Sequence, residues 1–309
     1  MKSKDTATLI GLIAIMLWAS IVALIRGVSE SFGATGGAAL MYTVASVFLM
    51  VTVGLPDLRT FPRRYLVWGS VLFVAYELCL SLSIGYANDG RQAIEVGMVN
   101  YLWPTFTLVS AIVFNKVKAN LLVVPGFVLS MLGIGWVLGG DRGIDLPGML
   151  AHVKDNPLSY GLAFSGALIW AAYCTVTARL AQGKNGVTPF FMLVSVVLWA
   201  KYAIEGGGAM TFDVHGVVYL LLAAGAMGFG YAAWNIGILH GNATVLAGAS
   251  YFIPVISAAL AATLLHAPLA QAFWHGAMMV CGGSILCWLA TRSKRAKTVA
   301  EAEETEKCS

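Results

Sequence analysis

The chain has 309 residues, of which 59% are hydrophobic and 11% charged, and its mean hydropathy is +0.79. Soluble domains carry about 25% charged residues, so a water-facing surface wrapped around a large core is excluded. The net charge of +4 offers no nucleic-acid face, because the basic residues sit in short connectors between long apolar runs.

In chain order, apolar runs bounded by charge, Gly or Pro predict ten membrane-spanning helices over 7–25, 36–54, 65–87, 94–115, 121–139, 158–180, 188–204, 216–239, 244–265 and 273–291. About 20 apolar residues cross the roughly 30 Å hydrocarbon core. Backbone groups in lipid must bond internally, so such runs are helices. The first run follows Lys2 and Lys4 like a signal peptide. It is too long for an h-region, however, and "ALIRGVSE" offers no small-x-small cleavage site, so it reads as the first span. The longest connector, "GDRGIDLPGMLAHVKDNP", lies between spans five and six. The tail over 293–309, basic then acidic, reads as a disordered cytoplasmic end whose basic half faces anionic headgroups. Cys79, Cys174, Cys281, Cys287 and Cys308 form no CxxC pair and read as small packing residues, with no metal or cofactor implied.

Fourteen of the 19 Lys and Arg fall on the side of the N-terminus. They are Lys2, Lys4, Arg59, Arg63, Arg64, Lys116, Lys118, Arg179, Lys184, Arg292 and the four of the tail. Arg26, Arg91, Arg142, Lys154 and Lys201 fall on the other side. Basic residues collect on the cytoplasmic side, which puts both termini in the cytoplasm.

The chain also repeats itself. "NYLWPTFTLVSAIVFNKV" from Asn100 matches "SYFIPVISAALAATLLHA" from Ser250, with Tyr101 and Pro104 answering Tyr251 and Pro254 at an offset of 150. Trp18–Ala19 answers Trp170–Ala171 at an offset of 152. The unit is five helices long, an odd number, so its two copies insert with opposite orientation. The predicted organisation is one five-helix unit over 1–140, a periplasmic connector over 141–157, a second unit over 158–292 and the tail. A proline inside a helix removes one donor and frees the carbonyl a turn earlier, near Asn100 for Pro104. A freed carbonyl at that depth is tolerated against protein or a water-filled cavity. Pro104 and Pro254 are therefore candidate kinks lining a cavity, or kinks absorbed by packing.

On these features the chain resembles the drug/metabolite transporter superfamily. The features are ten spans, two inverted repeats, cytoplasmic termini, a "GLIAIMLWAS" first helix and proline-bearing fourth and ninth spans. The motif "VNYLWP" makes it similar to the EamA-type members, and among them to bacterial aromatic amino acid exporters. The resemblance implies export of small metabolites by alternating access at the inner membrane, with the cavity lined by spans one, three, four, six, eight and nine.

Candidate substrate-binding residues at mid-span are Trp18, Tyr76, Glu77, Asn100, Tyr101, Trp103, Trp170, Tyr173, Trp234, Asn235, Ser250 and Tyr251, with Tyr86 and Tyr231 beside them. Tryptophan and tyrosine usually gather at the membrane interfaces, which accounts for Trp199, Tyr202, Trp274 and Tyr65 but not for Trp103 or Trp170. Rings at mid-depth either stack on a planar ligand or pack between helices, and Asn100 and Asn235 either hold a polar group or join helices. No Lys or Arg lies near the centre of a span. Phosphorylated solutes call for fixed cations, so the expected substrate is neutral or zwitterionic: an aromatic or other hydrophobic amino acid, or alternatively an amphiphilic amine moved by a proton-coupled exporter. Glu77 is the acid well inside a span, where an ionisable group is functional by default. It is a candidate for ammonium binding, for proton coupling, or for a structural hydrogen bond. An enzyme is disfavoured: the five histidines form no HExxH pair, no GxSxG elbow is present, and no Asp/Glu cluster offers a metal site. A channel would call for a ring of identical groups around a pore, which an inverted repeat in one chain does not supply.

Overall fold

A computed structural model describes residues 4–140 and 144–307, without the side chains of 243, 244 and 292–307. Lys2, Arg142 and Cys308 lie outside the described residues. The described chain is helical throughout, with no strand: α1 (Lys4–Ala19), α2 (Ile21–Phe32), α3 (Ala34–Thr52), α4 (Arg63–Gly85), α5 (Gly90–Asn100), α6 (Trp103–Val113), α7 (Val123–Leu138), α8 (Leu146–Asp155), α9 (Pro157–Leu180), α10 (Val187–Ile204), α11 (Val214–His240), α12 (Ala243–Ser250), α13 (Ile253–Leu264) and α14 (Gln271–Lys307).

The polarity of the fold is that of a multi-pass membrane protein. Large apolar side chains point outward, such as Leu9, Ile13 and Met16 on α1 and Val124, Val128 and Leu132 on α7, while Glu77, Ser81, Asn100, Thr105 and Ser130 are buried. In water such an apolar surface would be an association site of unusual extent; in lipid it is solvated. Among the described residues, seven segments are long and apolar enough to cross a membrane, Gly90–Val113 with α5 and α6 counted together among them, or eight if the bent pair α1–α2 is one span. The runs expected over 121–139 and 244–265 fall short of that length. The first carries α7, whose 16 residues rise about 24 Å, and the second is divided into α12 and α13.

Three of the expected spans are broken, each for a local reason. The first does not end at Ile25 but continues to Phe32, with a 44° bend between α1 and α2. At the bend the Ser20 hydroxyl donates to the Leu17 carbonyl at 2.7 Å, competing with the helix ladder for that acceptor. The run over 94–115 divides into α5 and α6 at Tyr101–Leu102, and the run over 244–265 divides at Tyr251–Phe252. Pro104 and Pro254 each stand in the first turn of the following helix, where a missing N–H costs nothing. Each therefore opens a helix after a two-residue break, while Gly90–Val113 as a whole still counts as one span. The two breaks share two bonds: Leu102 N donates to Val99 O at 3.2 Å and Phe106 N to Leu102 O at 3.0 Å, while Phe252 N donates to Ala249 O and Ile256 N to Phe252 O, both at 3.1 Å.

The connector is also structured, since α8 occupies most of it, and the expected disordered tail continues α14 as helix to Lys307. Ala, Glu, Lys and Arg dominate that stretch and are good helix formers.

Helices from the two halves of the chain pack pairwise: α1 with α11, α3 with α10, α4 with α9 and α7 with α14. Glycines permit the closest of these crossings, because without a hydrophobic driving force in lipid, helix association depends on tight packing of small residues. A Cβ on Gly237 would stand 2.7 Å from the Gly11 Cα, and one on Gly276 would stand 2.7 Å from the Gly133 carbonyl oxygen.

Candidate functional site

A cavity of about 230 Å³ opens in the middle of the bundle, lined from α1, α2, α4, α5, α6, α9, α11 and α13. The breaks at Ser20 and Tyr101–Leu102 lie beside it, so the backbone turns there place Trp18 and Ile21 on one side of the space and Asn100 and Trp103 on another.

Two aromatic groups form its walls. On the first, Trp18 packs edge-on against Tyr231, with centroids 5.2 Å apart, and tilts against Trp234 at 5.2 Å. On the second, Trp170 packs on Tyr76 at 4.4 Å and edge-on against Trp103 at 6.1 Å. Trp18 and Trp170, the pair related at an offset of 152, therefore each centre one wall. Such ring pairs contribute about 0.5–1.5 kcal/mol each beyond their buried area, so the walls are stiff and apolar while their indoles carry N–H donors.

Among the lining residues Glu77 carries the only formal charge. Its side chain is buried, and both carboxylate oxygens accept from tyrosines: Tyr42 Oη at 2.7 Å to Oε2 and Tyr231 Oη at 2.9 Å to Oε1. A buried acid is tolerated when it is hydrogen-bonded, and here both of its oxygens accept from neutral hydroxyl donors. Opposite the acid, Asn100 is 3% exposed and its Oδ1 has no hydrogen-bond partner. Pro104, four residues after Asn100, has no N–H to offer the Asn100 carbonyl. The site therefore offers acceptors at Glu77 and Asn100 between two aromatic faces.

Of the sequence candidates, the structure brings together Trp18, Tyr76, Glu77, Asn100, Tyr101, Trp103, Trp170, Tyr231 and Trp234. Four candidates lie elsewhere. Tyr173 packs behind Trp170, at 5.1 Å, and against Phe73 at 5.3 Å. Ser250 turns its hydroxyl back onto the Ala247 carbonyl at 2.8 Å. Tyr251 is buried against Trp288, and Asn235, adjacent to Trp234 on α11, is not among the lining residues. Tyr86 is also elsewhere, at the end of α4, with its hydroxyl 3.2 Å from Thr35 Oγ1. The proline of α6 borders the site through its neighbours Trp103 and Tyr101, whereas of the second break only Ile253 lines the cavity. Sequence reasoning missed Tyr42, although a buried acid must find donors and a tyrosine on a neighbouring span is an obvious one. It also missed Ile21, Val22, Leu80, Gly97, Cys174 and Met227, which carry the same apolar signal as any packed or lipid-facing residue.

Relatives with curated names match nearly the whole chain. It is 57% identical over 292 residues to the aromatic amino acid exporter YddG of Salmonella typhimurium, covering 94% of this chain and all of that protein. The chain belongs to the aromatic amino acid exporter family. The Escherichia coli member is 56% identical over 290 residues, covering 94% of this chain and 99% of its own. A more distant member from Ancylobacter novellus is 25% identical over 299 residues, covering 94% and 99%. A solved crystal structure superposes with a TM-score of 0.66 over 93% of this chain and 99% of its own at 22% identity, which shows the shared fold. No family model matches.

Trp170 is the hub of the second wall, touching Tyr76, Trp103, Tyr173 and Phe73. Trp170→Ala is expected to raise the KM for tryptophan transport about tenfold, the equivalent of about 1.4 kcal/mol, while Trp170→Phe keeps most of the affinity. Concentration-dependent uptake into proteoliposomes checks both.

Proposed function

We propose that the chain is an alternating-access carrier that exports aromatic amino acids across the bacterial inner membrane. The observation that carries this reading is the central cavity, with two facing Trp/Tyr walls and the buried Glu77 carboxylate as the one charge among its lining residues. An indole or phenyl ring fits between the walls by stacking, and the α-ammonium pairs with Glu77. The α-carboxylate meets neutral N–H and O–H donors. The lack of a lining Lys or Arg favours a zwitterion over a phosphorylated solute.

The same reading takes the helices as ten spans in two inverted five-helix units, 1–140 and 158–292, with both termini cytoplasmic. The similar breaks 150 residues apart support it, as does the pairing of α4 with α9 and of α1 with α11, a pattern that exchanges into itself when the halves are swapped. In that orientation the periplasmic end is held shut by polar links. Arg26 bonds the Ala87 carbonyl, Asn156 Nδ2 donates to Tyr86 O at 2.8 Å, Gln92 Nε2 donates to Asp155 at 3.1 Å, and Tyr160 donates to Glu95 at 2.8 Å. Release of substrate to the outside requires these links to break, and a substrate drives that change by as much as its affinity differs between the two states.

Both oxygens of Glu77 are occupied by hydroxyl donors, a pattern suited to a resident carboxylate, so we take transport to be facilitative and driven by the amino acid gradient. The second reading, proton antiport through Glu77, shares the same cavity. Radiolabelled tryptophan and phenylalanine flux in liposomes separates the two. Saturable flux without a pH gradient supports the facilitative carrier, flux only with the gradient supports antiport, and no flux of either solute overturns the substrate.

A further inference from the structure

The two tyrosines that hold Glu77 are not equivalent. Tyr42 is 0% exposed, its ring packs against Phe191, and α3, which carries it, belongs to the same half of the chain as Glu77 on α4. Tyr231 comes from α11 in the other half, is only half-buried, and lines the cavity. Its hydroxyl reaches from the Trp18 wall to Glu77 Oε1 at 2.9 Å, so the Tyr231–Glu77 bond joins the two halves of the chain among the residues that line the cavity.

We infer that the Tyr231–Glu77 hydrogen bond is a bolt that restrains the empty carrier and that the substrate ammonium withdraws it. The inference rests on the reading of the cavity as an aromatic amino acid site. An ammonium and a carboxylate attract as two full charges in a space of low dielectric, an attraction a neutral hydroxyl lacks, so an ammonium that reaches Glu77 Oε1 displaces Tyr231, whose ring lines the open space. The fixed Tyr42 keeps Oε2 occupied and the carboxylate in position throughout. Once Tyr231 is released, this link between α4 and α11 is gone and the halves move more easily. Tyr231 is thus a positioning residue that acts through Glu77. The empty carrier, with its bolt closed, returns more slowly than the loaded one.

The test is the ratio of tryptophan exchange to net tryptophan efflux in proteoliposomes. In the wild-type protein, exchange against saturating external tryptophan is expected to be several times faster than net efflux. In Tyr231→Phe, which keeps the ring contacts with Trp18 and Phe191, the two rates are expected to converge. Tyr42→Phe, whose hydroxyl lies within one half, is expected to keep the wild-type ratio. A measurement on the wild-type protein needs no variant: external indole-3-propionate, which has the ring but no ammonium, is expected not to accelerate tryptophan efflux. A wild-type ratio of one, an unchanged ratio in Tyr231→Phe, or acceleration by indole-3-propionate overturns the bolt while leaving the substrate reading intact. Absence of wild-type tryptophan flux overturns the substrate reading and the bolt together.

Discussion

Glu77→Gln is expected to lower tryptophan transport by at least about thirtyfold at sub-saturating concentration. The substitution keeps the size of the side chain and one acceptor but removes the charge that pairs with the substrate ammonium. Losing one partner of a buried, hydrogen-bonded charge pair costs about 2–5 kcal/mol, and every 1.4 kcal/mol is tenfold in affinity. The amide also matches its surroundings poorly. Two tyrosine hydroxyls donate to the two carboxylate oxygens, at 2.7 and 2.9 Å, and an amide nitrogen cannot accept either of them, so one hydroxyl must turn away. Initial rates of labelled tryptophan uptake, with the variant verified as folded and monodisperse, check this. Wild-type rates in Glu77→Gln would show that the acid is structural.

The second large effect lies away from the cavity. Gly283→Ala is expected to destabilise the protein by about 2–3 kcal/mol, in the range of overpacking substitutions, and to lower its thermal midpoint in detergent by several degrees. A Cβ there would stand 2.5 Å from the Gly126 carbonyl oxygen and 2.6 Å from the Ser130 amide nitrogen, so α7 would have to move off α14. That movement would also pull on a buried hydroxyl cluster in which Thr105 Oγ1 lies 2.9 Å from Ser130 Oγ and 3.1 Å from Ser284 Oγ. Thr105 follows Pro104, so the seam bears on the start of α6. The adjacent Gly282 is the control: its Cβ would meet Leu129 at an ordinary 3.6 Å, and Gly282→Ala is expected to be neutral. Equal midpoints for the two variants would contradict the packing described.

The helical segments and their membrane character were legible because a lipid-exposed helix needs a long apolar run, a signal few other structures produce. The breaks after Tyr101 and Tyr251 were legible as perturbations, because a proline cannot donate wherever it stands. That each starts a new helix depends on its place in the first turn, which the residue alone does not specify. The bend at Ser20 was not legible at all. The matching position in the second half is Ala172 within the unbroken α9, and serines with the same back-bond, Ser70 and Ser83, stand inside the unbroken α4.

In the cavity, Trp18 and Trp170 were legible because an indole at mid-depth departs from the interfacial habit of tryptophan. Tyr101 and Tyr251 show the limit of arguing from the repeat. Both sit at the same step of the same motif, yet Tyr101 lines the cavity and Tyr251 packs against Trp288 on α14. A shared sequence motif sets where a side chain starts, and the neighbours it meets decide where it ends. The partnership of Tyr42 and Glu77 links spans 35 positions apart and carries no pattern in the sequence.

The central claim is that the aromatic cavity is where an aromatic amino acid binds. Equilibrium binding of labelled tryptophan to the purified protein in detergent tests it most directly, comparing the wild-type protein with Trp170→Ala and Glu77→Gln. The account predicts saturable binding to the wild-type protein that phenylalanine displaces, weakened about tenfold in Trp170→Ala and more in Glu77→Gln. Equal affinity in all three would place the substrate elsewhere and contradict it.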